Sequence, residues 1–71
     1  MDFKLKFEYI ELDNLLKILE LVSNGVAAKQ CIQSGEVQVN GQIENRVRRK
    51  LRMGDSVEFR KQLINIEKNE S

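Results

Sequence analysis

The sequence contains no histidine, no tryptophan and a single cysteine, Cys31, among 71 residues. One thiol cannot close an internal disulfide, which fits a reducing compartment. With no histidine, the usual zinc ligand sets cannot be assembled. Nucleophile–base triads built on imidazole are excluded as well. There is no phosphate loop of the GxxxxGKS or GxGxxG kind. No apolar run approaches the roughly 20 residues that span a bilayer. The opening MDFKLKFEYIELD alternates polar and apolar residues and builds no signal-peptide core. These absences lead to the expectation of a cytoplasmic, non-catalytic protein with no cofactor, no small-molecule substrate and no membrane association. A chain of this length supports one domain, spanning 1–71, with a stability on the order of 3–5 kcal/mol.

What is present is charge, and it is unevenly placed. The chain as a whole carries +1. Residues 1–41 hold four Lys/Arg against six Asp/Glu, and residues 42–71 hold eight against five. Five of those cations fall in ENRVRRKLR, residues 44–52. Local concentrations of this kind, rather than net charge, decide which partners a surface attracts.

The hydrophobic pattern divides the chain into elements. Phe3, Leu5 and Phe7 alternate with Lys4, Lys6 and Glu8, the period of a half-buried strand. Leu12, Leu15, Leu16, Leu19 and Val22 recur at helical spacing, with Glu11 or Asp13 at the start and Lys17 off the stripe. Ser23 is the expected N-cap of a second helix, following the first after a residue or two, with Ala28 and Ile32 inward and Gly35 as its terminator. Val37 and Val39 then lead into Asn40-Gly41, a strong hairpin signal. A strict two-residue loop sets Gln38 across from Ile43, whereas pairing Val39 with Ile43 needs a longer loop. Both registers stay open. Gly54-Asp55 is a turn, Ser56–Phe59 a strand, and Leu63, Ile64 and Ile66 a short terminal strand before a frayed tail at 67–71. Phe3, Phe7, Tyr9, Phe59 and Cys31 are expected in the core.

In an extended conformation, Glu44, Arg46, Arg48, Lys50 and Arg52 share one face, while Val47, Leu51, Met53 and the lone cation Arg49 share the other. Cations on an exposed strand can simply block edge-to-edge pairing. Arginine, however, suits phosphate through its planar fork. Side chains two apart repeat every ~6.6–6.8 Å, near the spacing of successive phosphates. Glu44 either orients Arg46 through an ion pair or is solvated.

The ordered set Glu11-Leu12, Leu15-Leu16-Lys17, Ser23, Gly25, Ala28-Lys29, Ile32, Gly35, Val37, Val39-Asn40-Gly41 and Gly54-Asp55 resembles the RNA-binding domain named after ribosomal small-subunit protein S4. Glu44, Arg46, Arg48 and Lys50 add a pattern like that of its small stand-alone bacterial members. The likeness covers about residues 9–59. It implies an α+β fold, the alpha-L motif, in which two short helices pack against a small, mostly antiparallel sheet. It also implies RNA contacts from Lys17, Ser23, Asn24, Gly25 and Lys29, joining Arg46, Arg48, Arg49, Lys50 and Arg52. Many members carry arginine where this chain has Glu11 and Asn24, so more of the binding falls to the basic segment.

The expected partner is structured RNA, such as ribosomal RNA, tRNA or a precursor, bound chiefly through its backbone by a ribosome-associated monomer. Two other classes compete. A helix-turn-helix reader of duplex DNA is disfavoured because the second helix offers Lys29 alone as a cation. A protein adaptor docking an acidic partner would use the same basic strand.

Overall fold

Leu12, Leu15 and Leu16 are completely buried, and around them the first helix, α1, runs Leu12–Ile18. It stops earlier than the apolar stripe implies. Glu20 adopts φ +58°, its amide bonds to the Lys17 carbonyl, and the Leu21 amide bonds to that of Leu16. This is a Schellman ending built on a non-glycine residue. Leu19, Leu21 and Val22 still pack against the core from the segment linking the helices. That link occupies residues 19–24 and is longer than the sharp turn expected. The second helix, α2, spans Gly25–Gln33 and buries Ala28, Cys31 and Ile32. Its N-cap is Asn24, whose Oδ1 accepts from the Ala27 amide at 2.9 Å, and Ser23, the expected cap, is exposed beside it. Gly35, at φ +84°, closes α2 with hydrogen bonds from the Gly35 amide to the Ile32 carbonyl and from the Glu36 amide to the Cys31 carbonyl.

The computed structural model describes residues 1–69 of the chain. Among them the strands are β1 Asp2–Leu5, β2 Ile10–Glu11, β3 Val37–Val39, β4 Gln42–Ile43, β5 Lys50–Leu51, β6 Ser56–Phe59 and β7 Gln62–Lys68. Five form one sheet in the order β1-β7-β6-β3-β4, antiparallel except where β1 runs parallel to β7, and β2 pairs with β5 separately. The fold is therefore α+β, with two helices and a mostly antiparallel sheet. Val37, Val39, Val57, Phe59, Ile64 and Ile66 meet the helix leucines in one core.

The hairpin register follows the strict two-residue loop. Val39 faces Gln42 and Gln38 faces Ile43, with Asn40 and Gly41 at φ +53° and +83°. Both central residues are left-handed, as this twist-matched turn requires. The mismatch of Gln38 with Ile43 is resolved by leaving Ile43 exposed. Asn40 also does more than turn. Its Oδ1 accepts from the Ser56 amide at 2.9 Å and its Nδ2 donates to Asp55 at 3.0 Å, fastening the hairpin to the Gly54-Asp55 turn.

Three expectations fail at the chain's ends. The terminal strand is not short: β7 is the longest strand and lies between β1 and β6. Glu67 and Lys68, expected to fray, pair with Lys4 and Leu5; residues 70–71 lie outside the described range. The first strand ends at Leu5, leaving Phe7 outside it, 82% exposed, and Tyr9 38% exposed. Neither ring belongs to the core, although Phe59 does.

Candidate nucleic-acid interface

The basic segment is not a continuous strand. Residues 47–48 form a turn, closed by the Arg49 amide on the Arg46 carbonyl at 3.3 Å, and extended pairing is confined to Lys50–Leu51. Two interactions explain this. The first amides of any helix lack intrahelical acceptors. Here the Leu12 amide donates to the Arg49 carbonyl at 2.9 Å and the Asp13 amide to the Val47 carbonyl at 3.1 Å. The turn thereby satisfies the start of α1, where Glu11 makes no side-chain cap.

The second interaction is made by Glu44, which is only 8% exposed. Its Oε2 accepts from the Arg46 amide at 3.1 Å and Arg46 Nε at 2.9 Å. Its Oε1 accepts from Arg46 Nη2 at 2.9 Å and Arg49 Nη1 at 2.7 Å. The bonds from Arg46 lower the Glu44 pKa from an ordinary 4.5 to about 2, against burial, which raises it, and with help from Arg49. The same pairing raises the Arg46 pKa. The expected Glu44–Arg46 ion pair thus forms, with Arg49 as an additional partner. Val47 packs on the core and Leu51 is fully buried, as the alternation implies, but Met53 is exposed.

The cations therefore fall into two sets. Arg46 and Arg49 are tied to Glu44, their side chains 72% and 27% exposed. Lys17, Lys29, Arg48, Lys50 and Arg52 form no ion pair among the described residues. A shallow groove of about 570 Å³ brings Lys17, Lys29 and Arg48 together with Asp13, Asn24, Gly25, Val26 and Val47. A Cβ placed on Gly25 would stand 3.8 Å from Lys17 Nζ, so that ammonium lies at the first turn of α2. A second depression is lined by Arg46, Arg48, Arg49 and Lys50, and Arg48 belongs to both. Ser23 is not among the groove's lining residues. Beyond Lys50 lies Tyr9, with Lys50 Nζ 4.9 Å and the Arg52 guanidinium carbon 5.7 Å from its ring centroid.

Sequence reasoning missed Tyr9, Glu44's burial and Val26, whose side chain sits exposed at the groove. Tyr9, one of few aromatics, was expected in the core. The tertiary bonds that fold residues 44–49 leave no periodic trace.

A two-helix α+β module with a cationic groove between α2 and a basic turn is the class of protein these features define. The model of the S4 domain matches residues 3–67, and the chain belongs to that family. It is 39% identical over 54 residues to the Escherichia coli protein named "Putative RNA-binding protein YbcJ", covering 76% of this chain and 77% of the relative. The Shigella flexneri protein named "Uncharacterized protein YbcJ" matches at the same identity and extent. The solution structure of Escherichia coli YbcJ, described as revealing an αL motif involved in RNA binding, superposes with a TM-score of 0.70 at 34% identity, covering 93% of this chain and 85% of that one. No helix among the described residues is long and apolar enough to cross a membrane.

Proposed function

We propose that the chain is a non-catalytic, cytoplasmic RNA-binding protein that holds structured RNA by its phosphates. The observation that carries this reading is the joining of two cationic depressions through Arg48, one holding Lys17 and Lys29 from the helices and the other Lys50 from β5. None of these cations is neutralised by a carboxylate pair among the described residues. The S4 family membership and the RNA-binding description of the Escherichia coli relative support the same reading.

Each residue then has a role. Lys17 and Lys29 meet phosphates at the start of α2, where a helix terminus favours anions. Lys17 stands beside Gly25 at that terminus, and Asn24 shapes it as the cap. Arg48, Lys50 and Arg52 continue the track, with Arg46 at its edge. Arg49, turned toward Glu44, positions the segment. Ser23 flanks the cap. Ribosomal RNA, tRNA or a precursor of either, met at the ribosome by a monomeric protein, presents the folded backbone that such a track fits.

Filter binding or fluorescence anisotropy with tRNA as the probe tests this. With four or five phosphates neutralised, log K falls against log salt with a slope of about −3 to −4.5. A DNA duplex of equal length that competes as well as the folded RNA would overturn the reading, as would a slope near zero.

A further inference from the structure

Tyr9 is the single tyrosine of a chain without tryptophan. It immediately precedes β2, where Ile10 faces Leu51 and both turn inward, so Tyr9 lies on the face that carries Lys50 and Arg52. Both cations stand within 6 Å of its ring. Phe7 and Tyr9 line one side of an open depression of about 710 Å³ next to β1 and α1. Phe7, at 82% exposure, gains almost nothing from the fold. Exposed rings gathered at one place mark an interaction site. Lys50 connects this place to the basic depression beside Arg48.

An uncharged aliphatic partner would use the rings but has no need of cations at the ring face. A nucleotide uses both, since its base stacks on the ring while its phosphate meets the neighbouring ammonium or guanidinium. Glu11, the cross-strand partner of Lys50, also lines the depression, so the phosphate is met by Lys50 and Arg52 together rather than by Lys50 alone. We propose that Phe7 and Tyr9, flanked by Lys50 and Arg52, form a stacking site for an unpaired nucleobase of the RNA held on the cationic track. This inference rests on the RNA-binding reading. It adds a preference for RNA with an unpaired base beside a folded stem.

Tyr9 supplies its own signal, because tyrosine emission reports on that ring alone. The probes are an RNA hairpin with an unpaired oligoadenylate loop and the same stem as a blunt duplex. The hairpin quenches the emission and the duplex does not. Tyr9→Leu weakens hairpin binding by about 5- to 100-fold, the range for loss of one stacked base, and leaves duplex binding within about twofold. Tyr9→Phe retains hairpin binding. Should Tyr9→Leu fail to fold by circular dichroism, Phe7→Leu carries the same comparison at the more exposed ring. Unchanged hairpin binding by a folded leucine variant overturns the stacking site and leaves the RNA reading standing. If the unaltered protein binds neither RNA, both fall. Quenching by phosphatidylglycerol vesicles but not by the hairpin overturns the proposal in favour of a membrane face.

Discussion

Arg46 and Arg48 stand two residues apart and look interchangeable in the sequence, yet the fold uses them differently. Arg46 gives its guanidinium and its amide to Glu44, whereas Arg48 pairs with no carboxylate among the described residues and lines both cationic depressions. What separates them is one buried carboxylate. Glu44 gathers Arg46 and Arg49, which bends the backbone so that its carbonyls meet the first amides of α1. The charges left over, at Arg48, Lys50 and Arg52, form no ion pair among the described residues. A count of basic residues therefore overstates the binding surface, because some of them build it.

The largest effect that sharpens this contrast is expected at Glu44. Glu44→Ala strands a part-buried Arg49 and removes charge-assisted bonds, costing about 1.5–3 kcal/mol. For a domain of this size that lowers Tm by roughly 10 °C, measurable by circular dichroism. Arg46→Ala lowers Tm less than Glu44→Ala but more than Arg48→Ala, which shifts it by about 2 °C or less. Equal midpoints for Arg46→Ala and Arg48→Ala would erase the distinction.

The complementary effect is on binding. Replacing Lys17, Arg48 and Lys50 together by alanine weakens tRNA binding roughly 10- to 100-fold at 0.15 M salt and makes the salt slope shallower by about 2–3. The acid dependence is smaller but specific. The folded Glu44 pKa lies below its ordinary value, so its stabilisation is complete above about pH 4.5 and is lost as pH falls toward about 2. Glu44→Gln flattens the denaturation profile in that window. The smallest contrast separates the neighbours at the start of α2. Asn24→Ala costs about 1 kcal/mol as a lost cap, and Ser23→Ala costs under about 0.5 kcal/mol, as an exposed side chain does.

Much of the fold was legible because it follows local rules. The leucine stripe placed α1, Gly35 ended α2, and Asn40-Gly41 marked a hairpin whose register had to be left open. What was not legible depends on contacts between distant segments or on residues that break local preference. Glu20 ends α1 in a left-handed conformation without being glycine, and Arg60 and Lys61 turn between β6 and β7 at φ +50° and +68°. Nothing in Leu63–Lys68 says that the strand will lie between two others. The sequence displays the cations but not their arrangement. Period two held at Lys50, Leu51 and Arg52 and failed across 46–49. There the needs of α1's amides and of Glu44 outweighed any preference for extension.

The most direct test is to compare the salt dependence of tRNA binding for the unaltered protein and for Arg48→Ala, with Tm measured on both. The account predicts that Arg48→Ala makes the slope shallower by about 1 while leaving Tm within about 2 °C. An unchanged slope, or a slope that changes only together with a large fall in Tm, would contradict the division between cations that build the surface and cations that bind.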